Sequence, residues 1–245
     1  MKIIDSHNHL GDCRVFGCNV TEADLIGAMD RNGVTATVTQ PYPGASDEAD
    51  VHKRIYDLAK KYPGRIYGLA SVNPHTMDKA AYFNKMQGYI EGYGFKAIKL
   101  HTIGHAVHPQ SEDGKTVIET AVKLGVPLNV HTGPGVPFSL PSLLFPAAKQ
   151  YPDLKIVLAH SGAGLFAGEA IALAQQCPNV YLELSWCSVE DATAAIQSIG
   201  SERVMFGSDS NMNIPTALAV FAALPLSDKQ REDVLWRTEQ TVFAL

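Results

Sequence analysis

The sequence predicts an α/β protein, a (β/α)8 TIM barrel finished by a C-terminal helix, and three observations point there. Short β-rich runs alternate with longer helical patterns along the chain, and eight such runs are spaced nearly evenly. Strands that alternate with helices of about 10–15 residues pair in parallel through crossover helices. The turn after the first run reads HNHLGD, not the glycine-rich phosphate turn of a doubly wound dinucleotide fold. Finally, the chain has 245 residues, and one barrel takes about 250.

The strands are taken in order. KIIDSHNHL begins the series, TATVTQ follows near residue 35, and RIYGLASV and FKAIKLH are next, the latter ending at His101. VPLNVHTG, KIVLAH, VYLELSW and RVMFGSD complete the eight, the last ending at Asp209. Between them lie helix signals. Thr21 begins TEAD, a capping-box arrangement, with Leu25 and Met29 one turn apart and Gly33 as a stop. Ser46 opens a second helix, in which Ile55, Leu58 and Ala59 recur at helical steps until YPG ends it. Similar patterns cover 76–93, 112–124, 168–176 and 189–199, and 227–245 reads as the C-terminal amphipathic helix. No linker or composition break divides the chain, so one domain over residues 1–245 is expected.

Composition narrows the function. With 46% hydrophobic residues and a net charge of −5, disorder is excluded and a nucleic-acid partner is disfavoured, because phosphates call for a basic face. No apolar stretch approaches the roughly 20 residues that span a bilayer. MKIIDSHNHL lacks the basic head and long apolar middle of a signal peptide, so a cytoplasmic protein without a membrane partner is expected. The four cysteines, Cys13, Cys18, Cys177 and Cys187, make no disulfide framework in a chain this long. Cys13 and Cys18 are close enough in sequence to bind metal, but without a second pair they read better as two reduced loop thiols.

Metal-binding residue types gather at strand ends. His7 and His9 end the first strand, His131 the fifth, His160 the sixth and Asp209 the eighth. In a barrel these ends open onto one face, where active sites sit. Strand alternation points His7 and His9 the same way, and would place Ile3 and Asp5 with them and Ile4 against the helices. A lone histidine at a strand end is ordinarily just a hydrogen-bonded residue. Four of them plus an aspartate, all on one face, indicate a divalent metal site of the imidazole–carboxylate kind, with a position open to water.

The ordered motifs IDSHNHL, GFKAIKLH, NVHTG, IVLAHSG and RVMFGSD resemble the amidohydrolase superfamily. Within it they are most similar to the amidohydrolase 2 branch of amide and lactone hydrolases and non-oxidative decarboxylases. The resemblance runs from Asp5 to the end of the chain. It implies a divalent metal, Zn²⁺ first and Mn²⁺, Fe²⁺ or Co²⁺ as alternatives, bound by His7, His9, His131 and Asp209. It also implies that His160 orients or deprotonates the attacking water, and that Asp209 takes a proton and passes it on. Lys99 bears on the metal count. It shares a face with Phe95, Ala97 and His101, and a carboxylated lysine at a comparable strand bridges two ions in other superfamily members. The branch resembled here usually holds one, which leaves Lys99 and His101 to face the substrate. LWRTEQTVFAL departs from the Gly-Asn-Ala-type helix start common in the family, in a segment read as structural.

Loops after the strands should form the pocket, with Arg14, His105 and Trp186 as substrate contacts and Tyr42, His75, His108 and Asn211 as further candidates. Arg14 and Lys99 suggest a small substrate carrying a carboxylate. Hydrolysis of an amide, ester or lactone is the first reading, and decarboxylation of an aromatic or unsaturated acid is the second. A metal-binding sensor on the same scaffold is the non-enzyme alternative. The helix faces leave homo-oligomerisation open.

Overall fold

The computed structural model describes residues 1–135 and 137–245. The strands are β1 (Ile4–Cys13), β2 (Cys18–Val20), β3 (Ala36–Pro41), β4 (Ile66–Ala70), β5 (Ala97–Leu100), β6 (Leu128–His131), β7 (Ile156–Ala159), β8 (Val180–Glu183) and β9 (Val204–Met205). All eight predicted runs are among them. Their order in the sheet is β2-β1-β3-β4-β5-β6-β7-β8-β9. Each neighbour is parallel except β2, which folds back antiparallel on the end of β1. Backbone bonds from Ser6 N–H to Phe206 O (3.0 Å) and from Asp209 N–H to His7 O (2.8 Å) tie the last strand to the first. The chain has the TIM-barrel fold that its alternating pattern predicts.

The helices are α1 (Glu22–Arg31), α2 (Glu48–Lys61), α3 (Lys79–Gln87), α4 (Glu112–Leu124), α5 (Phe145–Gln150), α6 (Ala167–Gln176), α7 (Val189–Ile199), α8 (Ile214–Ala223), α9 (Asp228–Glu232) and α10 (Thr238–Phe243). Thr21 caps α1 in a full capping box with Asp24, and Ser188 does the same for α7 with Asp191. The cap of α2 is Asp47, not Ser46, whose N–H and hydroxyl are drawn to Asp12. The predicted C-terminal helix comprises α9, a π-helical turn at Asp233–Arg237, and α10. Short β2 and α5, and α8, are elements the sequence pattern did not announce. ALAVFAA in α8 is apolar on every side and carries no helical period. Among the described residues no helix is long and apolar enough to cross a membrane.

Two apolar clusters flank the sheet. Ile98, Leu100, Val130, Leu158 and Leu182 face outward and pack with Leu25, Ile55, Val117, Leu173 and Ile196 of the helices. Inside, Val38, Leu69, Ala97, Val157 and Met205 meet Val242 and Phe243 of α10, which plug the end where the strands begin. The opposite end is left for chemistry. Two sequence expectations are corrected here. The β1–β3 register slips between Asp5 and Asn8, so the Asp5 side chain lies on the face of Asn8 and Ser208, to which it is hydrogen-bonded, and not on that of the His7 and His9 rings. Phe95 precedes β5 and packs outward against His52 and Tyr89, away from Lys99.

Gly68 in β4 is where a backbone needs space, because a Cβ there would overlap the Phe95 ring. Gly68→Ala is expected to destabilise the fold by about 1–3 kcal/mol, the usual cost of overpacking a core. Urea unfolding would read this as a lower midpoint with unchanged slope.

Candidate metal centre

The strand ends bring five side chains to one place. The bulge in β1 aims both His7 and His9 inward, His131 ends β6, and His160 follows β7 directly. Asp209 stands four residues beyond β9 with its N–H on His7 O. Donor atoms of His7, His160 and Asp209 lie within 4.8 Å of one another. Asp209 Oδ1 is 3.2 Å from His7 Nε2 and 3.2 Å from His9 Nε2, and His160 Nε2 is 3.1 Å from His131 Nδ1. The structure thus brings all five residues singled out in the sequence to one centre. The tightest group, however, contains His160, the residue that the resemblance assigns to water.

The hydrogen bonds on the far side of each ring decide where its proton sits. His9 Nδ1 is 3.1 Å from Pro41 O and His131 Nε2 is 3.3 Å from Pro134 O. A carbonyl only accepts, so those nitrogens carry the protons. His7 Nδ1 donates to Glu183 Oε2 at 3.0 Å. Ser185 Oγ gives its own hydrogen to Glu183 (2.8 Å), so it accepts from His160 Nδ1 at 2.6 Å. In its neutral form each ring therefore turns a lone pair toward the centre: Nε2 of His7, His9 and His160, and Nδ1 of His131.

Burial holds His7 and His160 well below the usual imidazole range and pushes His131 down to about 4. Burial pushes Asp209 up, but His7, His160 and His9 outweigh it and keep the carboxylate ionised. The inward ring nitrogens thus meet each other and an ionised carboxylate oxygen at 3.1–3.2 Å. A divalent cation fits that donor set. The outer bonds, to carbonyl, carboxylate and hydroxyl, are those that orient metal-ligating histidines.

The sequence reading missed several residues around this centre. Glu183 is fully buried and accepts from His7, Ser185 and the backbone N–H groups of His160 (3.1 Å) and Ser185 (2.6 Å). Gln40 Nε2 lies 2.8 Å from His7 Nε2 and 3.3 Å from His9 Nε2. Asn129 Oδ1 holds Lys99 Nζ at 2.9 Å. A signal was available: Glu183 and Ser185 are two apart at a strand end, like His7 and His9, and Asn129 stands two before His131. Asp5 accepts the N–H of His7 (3.1 Å) and of Ser208 (3.0 Å), joining the two strands that deliver His7 and Asp209.

The centre opens into a cavity of about 770 Å³. Tyr42 lies on its wall, stacked on His9 at 4.4 Å, as do His101, Trp186 and Asn211. The Trp186 indole N–H donates to Asp209 Oδ2 at 2.7 Å. Lys99 lies beneath the histidines, its amine 3.3 Å from His7 Nε2, where burial lowers it to about 8. The remaining candidates are elsewhere. Arg14 donates to Ser46, and His105 is buried behind His101. His75 pairs with Asp113, and His108 accepts the N–H of Gln110. The cation on the cavity wall is Arg31 of α1.

The family model described as amidohydrolase matches residues 4–243. The chain belongs to the amidohydrolase family. No curated protein is significantly similar to it. Among solved structures it resembles a putative amidohydrolase from Staphylococcus aureus, at 15% identity and TM-score 0.78, covering all of both chains. It also resembles a dihydroxybenzoic acid decarboxylase from Polaromonas sp. JS666 with bound manganese and 2-nitroresorcinol, at 18% identity and TM-score 0.78, covering 100% of this chain and 97% of that one. A third likeness is a probable 2-pyrone-4,6-dicarboxylic acid hydrolase from Acinetobacter baumannii with citric acid bound, at 14% identity and TM-score 0.70, covering 100% of both. At these identities the likeness is one of fold.

Gly207 offers a direct test of the Glu183 contact, because a Cβ there would overlap the Glu183 carboxylate. Gly207→Ala should push that carboxylate off His7 and weaken metal binding roughly 10–100-fold, the usual effect of losing such a partner. Titration of metal-free protein with Mn²⁺ or Zn²⁺ by calorimetry would measure it.

Proposed function

We propose that this chain is a metal-dependent hydrolase of an amide, ester or lactone in a small substrate, with the ion held by His7 Nε2, His9 Nε2, His131 Nδ1 and Asp209 Oδ1. The observation that carries the reading is the convergence of four imidazole rings on an ionised carboxylate at the strand ends. A divalent ion there supplies Lewis acidity and lowers the pKa of water to near neutrality. Mn²⁺ and Zn²⁺ both suit the donors; a fold relative holds manganese, and imidazole-rich sets favour zinc.

The chain's own groups do the rest. Glu183 and Ser185 fix the His7 and His160 rings, so no proton has to move before the site can act. His160 Nε2, in the tight group with Asp209, can take a proton from the attacking water and, once protonated, donate it to the developing oxyanion or leaving group. Asp209 Oδ2, held by Trp186, is the second proton acceptor. Lys99 is engaged with Asn129 and His7, which supports one ion with a free amine over a carboxylated bridge. The sequence pointed to Arg14 and Lys99 as anion contacts; with the Arg14 guanidinium on Ser46 and the Lys99 amine on Asn129, Arg31 on the cavity wall is the better placed cation.

Decarboxylation of an aromatic acid is the second reading, favoured by the flat Tyr42 ring over His9 and by the apolar rim of Phe16, Trp186 and Met212. Incubating the metal-loaded protein with lactones, amides and aromatic acids in H₂¹⁸O separates the two. Hydrolysis puts ¹⁸O into the product without gas, whereas decarboxylation releases CO₂; only the first outcome supports the proposal.

Three substitutions test the ligand assignment. His7→Ala and Asp209→Ala should each abolish both bound metal, read by elemental analysis, and turnover. His160→Asn should retain the ion while cutting turnover by roughly 10²–10⁴-fold, the span of general acid–base contributions. Loss of the ion in that variant would instead make His160 a ligand.

A further inference from the structure

One pair of residues remains outside the metal chemistry. Cys13 and Cys18 stand directly opposite each other where β2 folds back on β1, and both are free thiols. Residues paired across an antiparallel ladder project from the same face, with Cα atoms about 4.5–5.5 Å apart. That falls within the range of about 4.4–6.8 Å that a disulfide bridges. The two are unequal in access. Cys13 is buried among the apolar residues around β1, whereas Cys18 is half-buried and lines the metal cavity. The remaining cysteines are closed off: Cys177 is buried, and the buried Cys187 thiol donates to His160 O at 3.3 Å.

We propose that Cys13 and Cys18 are a reversible dithiol–disulfide site on the wall of the cavity, oxidised by low-molecular-weight disulfides such as glutathione disulfide. The Cys18 thiolate, reached through the cavity, attacks one sulfur of glutathione disulfide. A mixed disulfide forms, and one glutathione leaves as a thiolate that takes up the proton lost by Cys18. The Cys13 sulfur, losing its own proton, then displaces the second glutathione. Two protein thiols are oxidised to one disulfide, and one glutathione disulfide is reduced to two glutathiones. A bridge between adjacent antiparallel strands next to an open cavity belongs to the labile class that thiols reduce readily. It would tie the loop bearing Phe16, part of the cavity rim, across its base. The site stands whether or not the metal reading holds.

The test treats the native protein with glutathione disulfide, quenches it with acid, alkylates the remaining thiols and maps tryptic peptides. Cleavage after Lys2, Arg14 and Arg31 separates the two cysteines, so their bridge appears as peptides 3–14 and 15–31 joined together. The expected result is that bridge, with Cys177 and Cys187 alkylated and the bridge reversed by reduced glutathione. Cys13→Ser should trap glutathione on Cys18, a mass gain of about 305 Da. Cys18→Ser should leave Cys13 free. Full alkylation of both thiols, a mixed disulfide that never closes in the wild type, or a bridge to Cys177 or Cys187 would overturn the proposal.

Discussion

The chemistry of the centre depends on where four imidazole protons sit, and one buried carboxylate governs two of them. Glu183 accepts the Nδ1–H of His7 directly and orients His160 through Ser185. Burial alone pushes Glu183 toward its neutral form, and the hydrogen bonds from His160 and Ser185 oppose it. A buried carboxylate is costly unless its lone pairs are matched. Here they are matched by groups that the centre must hold still. The same bonds that make the charge tolerable fix the lone pairs of the rings, which links folding to function at one residue.

The backbone pays for this arrangement as well. His160, Trp186 and Asp209 all adopt left-handed conformations, with φ of 66°, 62° and 65°. Such residues cost of order 1–3 kcal/mol each and persist where surrounding structure over-determines them. Each follows the end of a barrel strand, where the chain must turn sharply out of the sheet while its side chain stays over the opening. Asp209 is held by its N–H on His7 O and by the Trp186 indole on its Oδ2. Trp186 is thereby fixed as both a strut for the carboxylate and a wall of the cavity. Asp5 braces the same seam from below through the N–H groups of His7 and Ser208. The strand-closing hydrogen bonds and the metal-facing geometry are one construction.

Much of this was legible in the sequence because the barrel repeats a simple period. Strand runs identified themselves by apolar residues and by the helices between them, and His7, His9, His131, His160 and Asp209 were visible because their types are rare at strand ends. What stayed hidden has physical causes. The bulge in β1 turns Asp5 away from the face that strict alternation assigns it, and no residue type marks that slip. Glu183 and Gln40 looked like ordinary polar strand residues, since their meaning lies in partners far away in sequence. Arg14 and His105 were drawn in by loop position alone, which does not say whether a side chain turns into the cavity. The helix α8 had no polar face to give it a period.

On the proposed function, the cavity wall bears on the kind of substrate the site would take. Close to the centre the surface is polar: the histidines, Asp209 and Asn211. Farther out, Phe16, Trp186 and Met212 present exposed apolar surface, more than half of each side chain being accessible. Exposed apolar groups gathered around one opening are unusual on a protein surface and gain free energy when a ligand covers them. A substrate with a flat apolar body and a polar head would satisfy both zones at once, with its head at the metal centre and its body against Tyr42 and Trp186. Binding energy from the apolar body, remote from the bond that reacts, can then hold the head against Asp209 and His160. That division of labour is common to hydrolysis and decarboxylation, so the chemistry is decided at the head group, within the reach of His160 Nε2 and Asp209 Oδ2.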